Sequence, residues 1–562
     1  MKLIKIYTIV TVLFLFGCSS DEGGAADPGD STPDEFSFKS KRGVERNSEI
    51  VSNTIIISGI DNDIEATVSN GALSVNGEAF RSNSQIVKNG DSLTVKLTSS
   101  ILPLTSSKMT VQLGGVSKVF KVTTESLSKR PFQGFVKSVT GGLGGTIVKV
   151  TNLNPSGPGS LQEAVNQEGA RTVVFDVSGV IDADIRIPHG NITIAGQTAP
   201  GNAGVTINGH LYTPYGDAFG NIIVQHIRVR PSFPGGNWPA ESHDAIQFSS
   251  NFDVILDHVD VSHAADELID IWGGARSVTI QWSILSYPRY DAGHPKGAIH
   301  NYGILSGPDG GEIVVHHNIF AHSSRRLPAI ASGPSEVINN IIYNSKEAFV
   351  HHNPADGMFN IVGNVYLAGI NGTLLPFWLD PENSDPRLSY YFKDNKVADV
   401  AFDAVVDNPM NDESFKQTYA FYNSRIKPDM FKDSLHDFSE TPSYEGVVPD
   451  SSSSVLDRVL ECAGAWPRDE TSNRAISSIV SMNGEWENSV PDLTKGLLPA
   501  QRDPSLDLDN DGMLDEWELE HGLDPSEPLD YMEEIDNGRS AIEVYLEYKS
   551  LEVMGNNINC IS

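Results

Sequence analysis

Between residues 190 and 365 the chain returns repeatedly to one pattern, a short β-prone run closed by a polar or aromatic pair. The runs are Asn191-Ile192-Thr193-Ile194, Asn221-Ile222-Ile223-Val224, Asp253-Val254-Ile255-Leu256, Ser277-Val278-Thr279-Ile280, Glu312-Ile313-Val314-Val315, Ser335-Glu336-Val337-Ile338 and Phe359-Asn360-Ile361-Val362. Most are followed directly by such a pair, as in Gln225-His226, Asp257-His258, Gln281-Trp282, His316-His317 and Asn339-Asn340. Recurrence at an irregular spacing of roughly two to three dozen residues suits a solenoid whose coils carry loops of different length. An antiparallel sandwich would need tight turn dipeptides at regular places, and these junctions lack them. The pattern predicts an all-β chain centred on a right-handed parallel β-helix over residues 127–490. Asn318, Asn340 and Asn364 suit stacked side chains that satisfy turn backbone groups.

The flanks read differently. Residues 46–126 alternate over short runs such as Thr54-Ile55-Ile56-Ile57, Ser92-Leu93-Thr94-Val95-Lys96-Leu97 and Val119-Phe120-Lys121-Val122. Turn signals at Asn89-Gly90-Asp91 and Gly114-Gly115 separate them, predicting a small β-sandwich. The stretch resembles immunoglobulin-like modules of bacterial surface proteins, which implies spacing or presentation. Residues 18–45 are rich in Gly, Ser, Asp, Glu and Pro and are expected to form a flexible tether. Ahead of them, Lys2 and Lys5 precede the apolar run Ile9 to Phe16 and then Gly17-Cys18. A charged start, a short apolar stretch and a small residue before cysteine describe a lipoprotein signal peptide over residues 1–17, with lipid on Cys18. The run is too short to span a bilayer, so membrane contact is expected through lipid alone.

Asp and Glu outnumber Lys and Arg by 73 to 40, a net charge of −33. Nucleic-acid binding needs a basic footprint, so that class is excluded. An acidic polymer as partner would require cations or basic side chains gathered at the site.

Both are in view. Asp244, Asp257, Asp266 and Asp270 lie on successive strand-like runs, and stacking of coils can bring such carboxylates to one face. A hard divalent cation relieves their repulsion, and calcium takes oxygen ligands of this kind; solvated carboxylates are the plainer alternative. Downstream stand Lys296 and the pair Arg325-Arg326, able to hold substrate carboxylates or, more plainly, to pair with the nearby acids.

At these residues the chain resembles polysaccharide lyase family one, the pectate lyases. The resemblance rests on Asp253-Val254-Ile255-Leu256-Asp257-His258-Val259-Asp260-Val261-Ser262, Asp266-Glu267-Leu268-Ile269-Asp270-Ile271, His316-His317-Asn318, Arg326-Leu327-Pro328 and Ala463-Gly464-Ala465-Trp466-Pro467-Arg468-Asp469, in that order. It implies calcium ligands at Asp244, Asp266 and Asp270, a proton-abstracting Arg326, and substrate contacts from Lys296 and Arg325. The implied reaction is β-elimination in an acidic plant cell-wall polysaccharide, pectate above all, giving 4,5-unsaturated oligosaccharides. Two positions depart from the family: Ser242 replaces an acidic ligand, and Ala331 replaces a second arginine, for which Arg325 or Arg289 could compensate. His258 and His317 sit inside the coil motifs, where packing is their expected role. The rivals are a polygalacturonase-like hydrolase, which needs two flanking carboxyl groups, and a non-catalytic glycan-binding protein on a lyase scaffold.

Residues 491–562 are expected to form a short calcium-loop tail. Asp507, Asp509, Asp511, Met513, Asp515 and Glu518 occupy positions one, three, five, seven, nine and twelve of an EF-hand-like loop, with Gly512 at six. With Cys18 lipidated, Cys462 and Cys560 remain, as one disulfide or two separate thiols. Ser19-Ser20-Asp21-Glu22 resembles the export tag of Bacteroidetes surface lipoproteins. That implies an outer-membrane lipoprotein exposed at the cell surface, with secreted and periplasmic placements as alternatives, and a monomer is expected.

Overall fold

The computed structural model describes residues 29–103, 105–125, 132–232, 244–292, 300–536 and 538–560. The expected signal peptide, Cys18, Ser242 and Lys296 fall outside the described residues. The chain divides into two compact units, Met1–Glu125 and Ser126–Ser562.

In the first unit, alternation becomes burial. Leu93, Val95 and Leu97 of the strand Ser92–Thr98 point into a core shared with Val111, Leu113, Phe120 and Val122. A five-stranded sheet and a four-stranded sheet contribute to it. The unit starts earlier than residue 46. Phe36 and Phe38 are buried in the same core, and Lys41–Val44 pairs in parallel with Val116–Thr124. The tether expectation is therefore corrected from Phe36 onward: two aromatics in a polar stretch supply enough apolar area to be drawn into the core.

The second unit is a parallel β-helix. Among the described residues, three long sheets of ten, ten and nine strands take every third strand in chain order except at their ends, where one closes on an antiparallel strand. The seven repeated runs occupy successive strands of one sheet, from Ile192–Ala195 to Met358–Val362. Register stacks like on like, so Ile194, Val224, Leu256, Ile280, Val315, Val337, Ile361 and Phe392 form one inward column. Adjacent members are one coil apart, about 4.8 Å, and all are buried.

The residue pairs that close each run make the turn. His226, His258, Trp282, His317 and Asn339 all have φ between 49° and 54°, a left-handed conformation that redirects the chain. Their rings stack from coil to coil, with centroids 4.9 Å apart for His226 and His258 and 4.4 Å for Trp282 and His317. One residue on, Asn318, Asn340, Asn364 and Asn395 form a buried ladder, each amide donating to the next at 2.9–3.0 Å.

The tail is part of this unit. Its last helix, Ala541–Val553, lies lengthwise across coils: the Leu546 carbonyl accepts from Gln197 (3.5 Å) and Ser550 Oγ lies 2.8 Å from His226 Nε2. Leu551, Met554 and Cys560 share a core with Trp282, Ile319, Ile341 and the helix Ser452–Cys462. Cys462 and Cys560 form a disulfide, with Cα atoms 5.2 Å apart.

Candidate active site

The reactive groups sit on the nine-stranded sheet. In register, Glu267 faces Tyr302, Tyr302 faces Arg325, and Arg325 faces Glu347, on four successive coils. Asp244 belongs one coil before Glu267, where its Oδ1 accepts the Glu267 N–H at 3.1 Å. Asp244, Asp266 and Glu267 each place a carboxylate oxygen within 4.8 Å of the others. Asp244 and Glu267 are 4% and 3% exposed.

This trio differs from the expected Asp244, Asp266 and Asp270. Asp270 lies three residues further along the strand Glu267–Trp272, roughly 10 Å on, and is in register with Gln247 and Leu305. Its carboxylate accepts from the Gln247 amide at 3.5 Å. Glu267 joins Asp244 and Asp266 in the mutually close group because the turn residue and the first strand residue meet the preceding coil together.

Arg326 completes the cluster. It interrupts the strand pairing with a φ of +64°, which turns its side chain back toward the earlier coils. The guanidinium pairs with the Glu267 carboxylate and lies 4.5 Å from the centre of the Tyr302 ring. Burial lowers its proton affinity, opposed by the charges of Asp266, Asp244 and Glu347. Arg325 points elsewhere, paired with Glu347 and 5.8 Å from the Trp378 ring centre. Beside both arginines, His352 is depressed to about 4 by burial and then by their charge, so its imidazole is neutral.

The remaining expected groups are not gathered here. Ala331 is buried, its N–H donating to the Ser306 carbonyl at 3.0 Å. Arg289 is buried too, with Nε donating to the His263 carbonyl at 3.0 Å. His258 Nδ1 lies 2.8 Å from Asp257 Oδ1, and His317 Nε2 lies 3.2 Å from Asp450; both rings belong to the stack on the other sheet's edge. Glu267, Tyr302, Glu347, His352 and Trp378 are the residues that reading the sequence missed. Their signal is register, which becomes visible only once strand starts are known.

Three oxygen-bearing side chains, two of them deeply buried, suit a hard cation such as calcium. The adjoining arginine offers a proton acceptor once it is neutral, and Arg325 a fixed positive charge for a substrate carboxylate.

No family model matches the chain. Probable pectate lyase C of Aspergillus oryzae is 31% identical over 427 residues, covering 74% of this chain and 91% of its own length. The protein of the same description from Emericella nidulans is 30% identical over 419 residues, covering 72% and 88%. Among solved structures, pectate lyase II of Xanthomonas campestris pv. campestris aligns over 59% of this chain and 98% of its own, at 15% identity and a TM-score of 0.37. The class so defined is a polysaccharide lyase on a parallel β-helix. Within that class, the chain belongs to the pectate lyase family.

Proposed function

We infer that the protein cleaves polygalacturonate by calcium-dependent β-elimination, with Arg326 as the base. The observation that carries this reading is the placement of Arg326 against the acids Asp244, Asp266 and Glu267, two of them buried. Calcium held by those acids would bind the uronate carboxylate and acidify the hydrogen on C5. Neutral Arg326 takes that proton, the electron pair forms the C4=C5 double bond, and the C4–O bond breaks. The leaving oxygen takes a proton from water. Glu267 keeps Arg326 positioned but also favours its charged form, so turnover needs that pairing to loosen. Arg325, held by Glu347 and Trp378, fixes a second substrate carboxylate.

The test is ultraviolet absorbance of polygalacturonate incubated with the protein, in calcium and in chelator. A calcium-dependent rise lost in Arg326→Ala supports the reading. New reducing ends without absorbance would instead indicate hydrolysis, and binding without either would indicate a glycan-binding protein.

The same proposal covers placement. Support for a lipid on Cys18 and a surface location comes from the charged and apolar run that precedes it. The immunoglobulin-like reading of the first unit rests on its two packed sheets, with presentation of the lyase as its role.

A further inference from the structure

The acids of the twelve-residue loop in the tail do not all converge on one point. Asp515, at position nine, is half-buried and accepts the Leu508 N–H at 2.8 Å. Asp507, at position one, gives one oxygen to Lys149 Nζ (2.8 Å) and to the Gly512 N–H (3.1 Å). Met513 is buried and donates its N–H to Asp511. The acids that converge are Asp509, Asp511, Glu518 and Asp530, one oxygen of each lying within 4.8 Å of the others. Asp530 stands twelve residues beyond the loop's last position, in the short helical turn Asp530–Met532.

The state of these oxygens points to a ligand. Glu518 is fully buried, at 0% exposure, and neither of its carboxylate oxygens has a hydrogen-bond partner. Asp509, Asp511 and Asp530 share one arrangement. In each, one oxygen accepts a backbone N–H, from Asp511, Met513 and Asp524 respectively. The other oxygen is buried without a partner. Asp507 Oδ1 is in the same condition. Isolated buried carboxylates are strongly disfavoured, and several facing one another are worse. Oxygen-only donors in this number match calcium, which takes six to eight.

We propose that Asp530 completes a second calcium site with Asp509, Asp511 and Glu518, so that one ion fastens the loop to the turn that follows it. The site is independent of the catalytic reading. Its surroundings say what the ion organises. Gly512, at φ +89°, packs where a Cβ would come within 2.8 Å of Ile147. Tyr531, next to Asp530, donates its hydroxyl to the Gly145 carbonyl at 3.0 Å. Lys149 bridges Asp507 and Asp176. Both halves of the site thus press on the first strand of the β-helix, Thr146–Val150, and on the residue before it.

Hydrogen exchange of the full chain, followed by mass spectrometry with calcium as the probe, tests this locally. Calcium should slow exchange in residues 524–532 together with residues 507–518. A response confined to 507–518 would overturn the proposal without any variant. Asp530→Asn keeps an acceptor for the Asp524 N–H, and should raise the calcium concentration for half-protection at least about tenfold. Asp515→Asn should shift it by less than about fivefold. In chelator the sign reverses: Asp530→Asn should exchange no faster than the parent, because a repelling charge is gone. An unchanged midpoint in Asp530→Asn would also overturn the assignment.

Discussion

Arg326 reaches past Tyr302 to pair with Glu267, two coils away in the sheet register. On the proposed reading, the pairing sets the base against an acid of the cation site. Burial lowers the proton affinity of Arg326, and the carboxylates around it oppose that shift.

Loss of the proposed base is the first consequence to measure. Arg326→Ala should lower kcat on polygalacturonate on the order of 10²–10⁴-fold, the range for removal of a general base. Folding should be retained, since the side chain leaves a partly open site. Ultraviolet absorbance and thermal melting together check both halves.

Glu267→Gln should behave in the opposite sense for proton affinity. Removing the partner charge lowers the Arg326 pKa, which burial already lowers. Because the base must be neutral, the rising limb of kcat against pH should move to lower pH. The calcium concentration for half-maximal activity should rise at the same time, at least about tenfold. A pH profile unmoved by the substitution would show that Glu267 does not control the arginine.

Arg325 is tied to Glu347 and Trp378 rather than to the acid cluster. Arg325→Ala should therefore raise KM more than it lowers kcat. A change of about 1.5–3 kcal/mol in binding corresponds to loss of one charge-assisted contact. Steady-state kinetics on polygalacturonate separate the two constants.

Away from the site, Glu336 is buried beneath Tyr444 and Asn360, which donate to its two oxygens at 2.9 and 3.0 Å. Burial raises its pKa from 4.5 to about 7 in the folded state. The folded protein thus binds a proton more readily than the unfolded chain. Stability from this group is present below about pH 4.5 and is lost as pH rises through about 7. Glu336→Gln should accordingly flatten this loss, and melt higher than the parent at pH 9 with little difference at pH 5.

The asparagine ladder makes a last prediction. Asn340 accepts from the Asn318 backbone and side chain and donates to Val315 and Asn364. Asn340→Ala strands buried partners on both sides, and should cost at least about 2 kcal/mol. Denaturant unfolding measures it.

Much of this architecture is legible in the repeated runs themselves. The repeated runs announced their own stacking because a coil's inward residues must match those above and below, and Val224, Leu256 and Ile280 do so in register. Arg326, Asp244 and Asp266 were legible as a group through the family resemblance. Glu267 was not, because choosing between it and Asp270 depends on which residue begins the strand, and a shift of a few residues changes the whole face. Asp530 was hidden for another reason: the loop motif describes a contiguous twelve residues, whereas this fourth acid arrives from a separate turn. Phe36 and Phe38 were lost in a stretch whose average composition is polar.

A solenoid holds together only by nearest-neighbour contacts, so it frays from its ends inward. Here the terminal coil is gripped by Lys149, Asp176 and Arg502, and the same stretch of chain then runs back over later coils to a covalent bond at Cys462. Peeling the first coil away must therefore disturb contacts several coils downstream. The closing segment makes a one-dimensional array behave as a belted cylinder, whose opening is cooperative along its length.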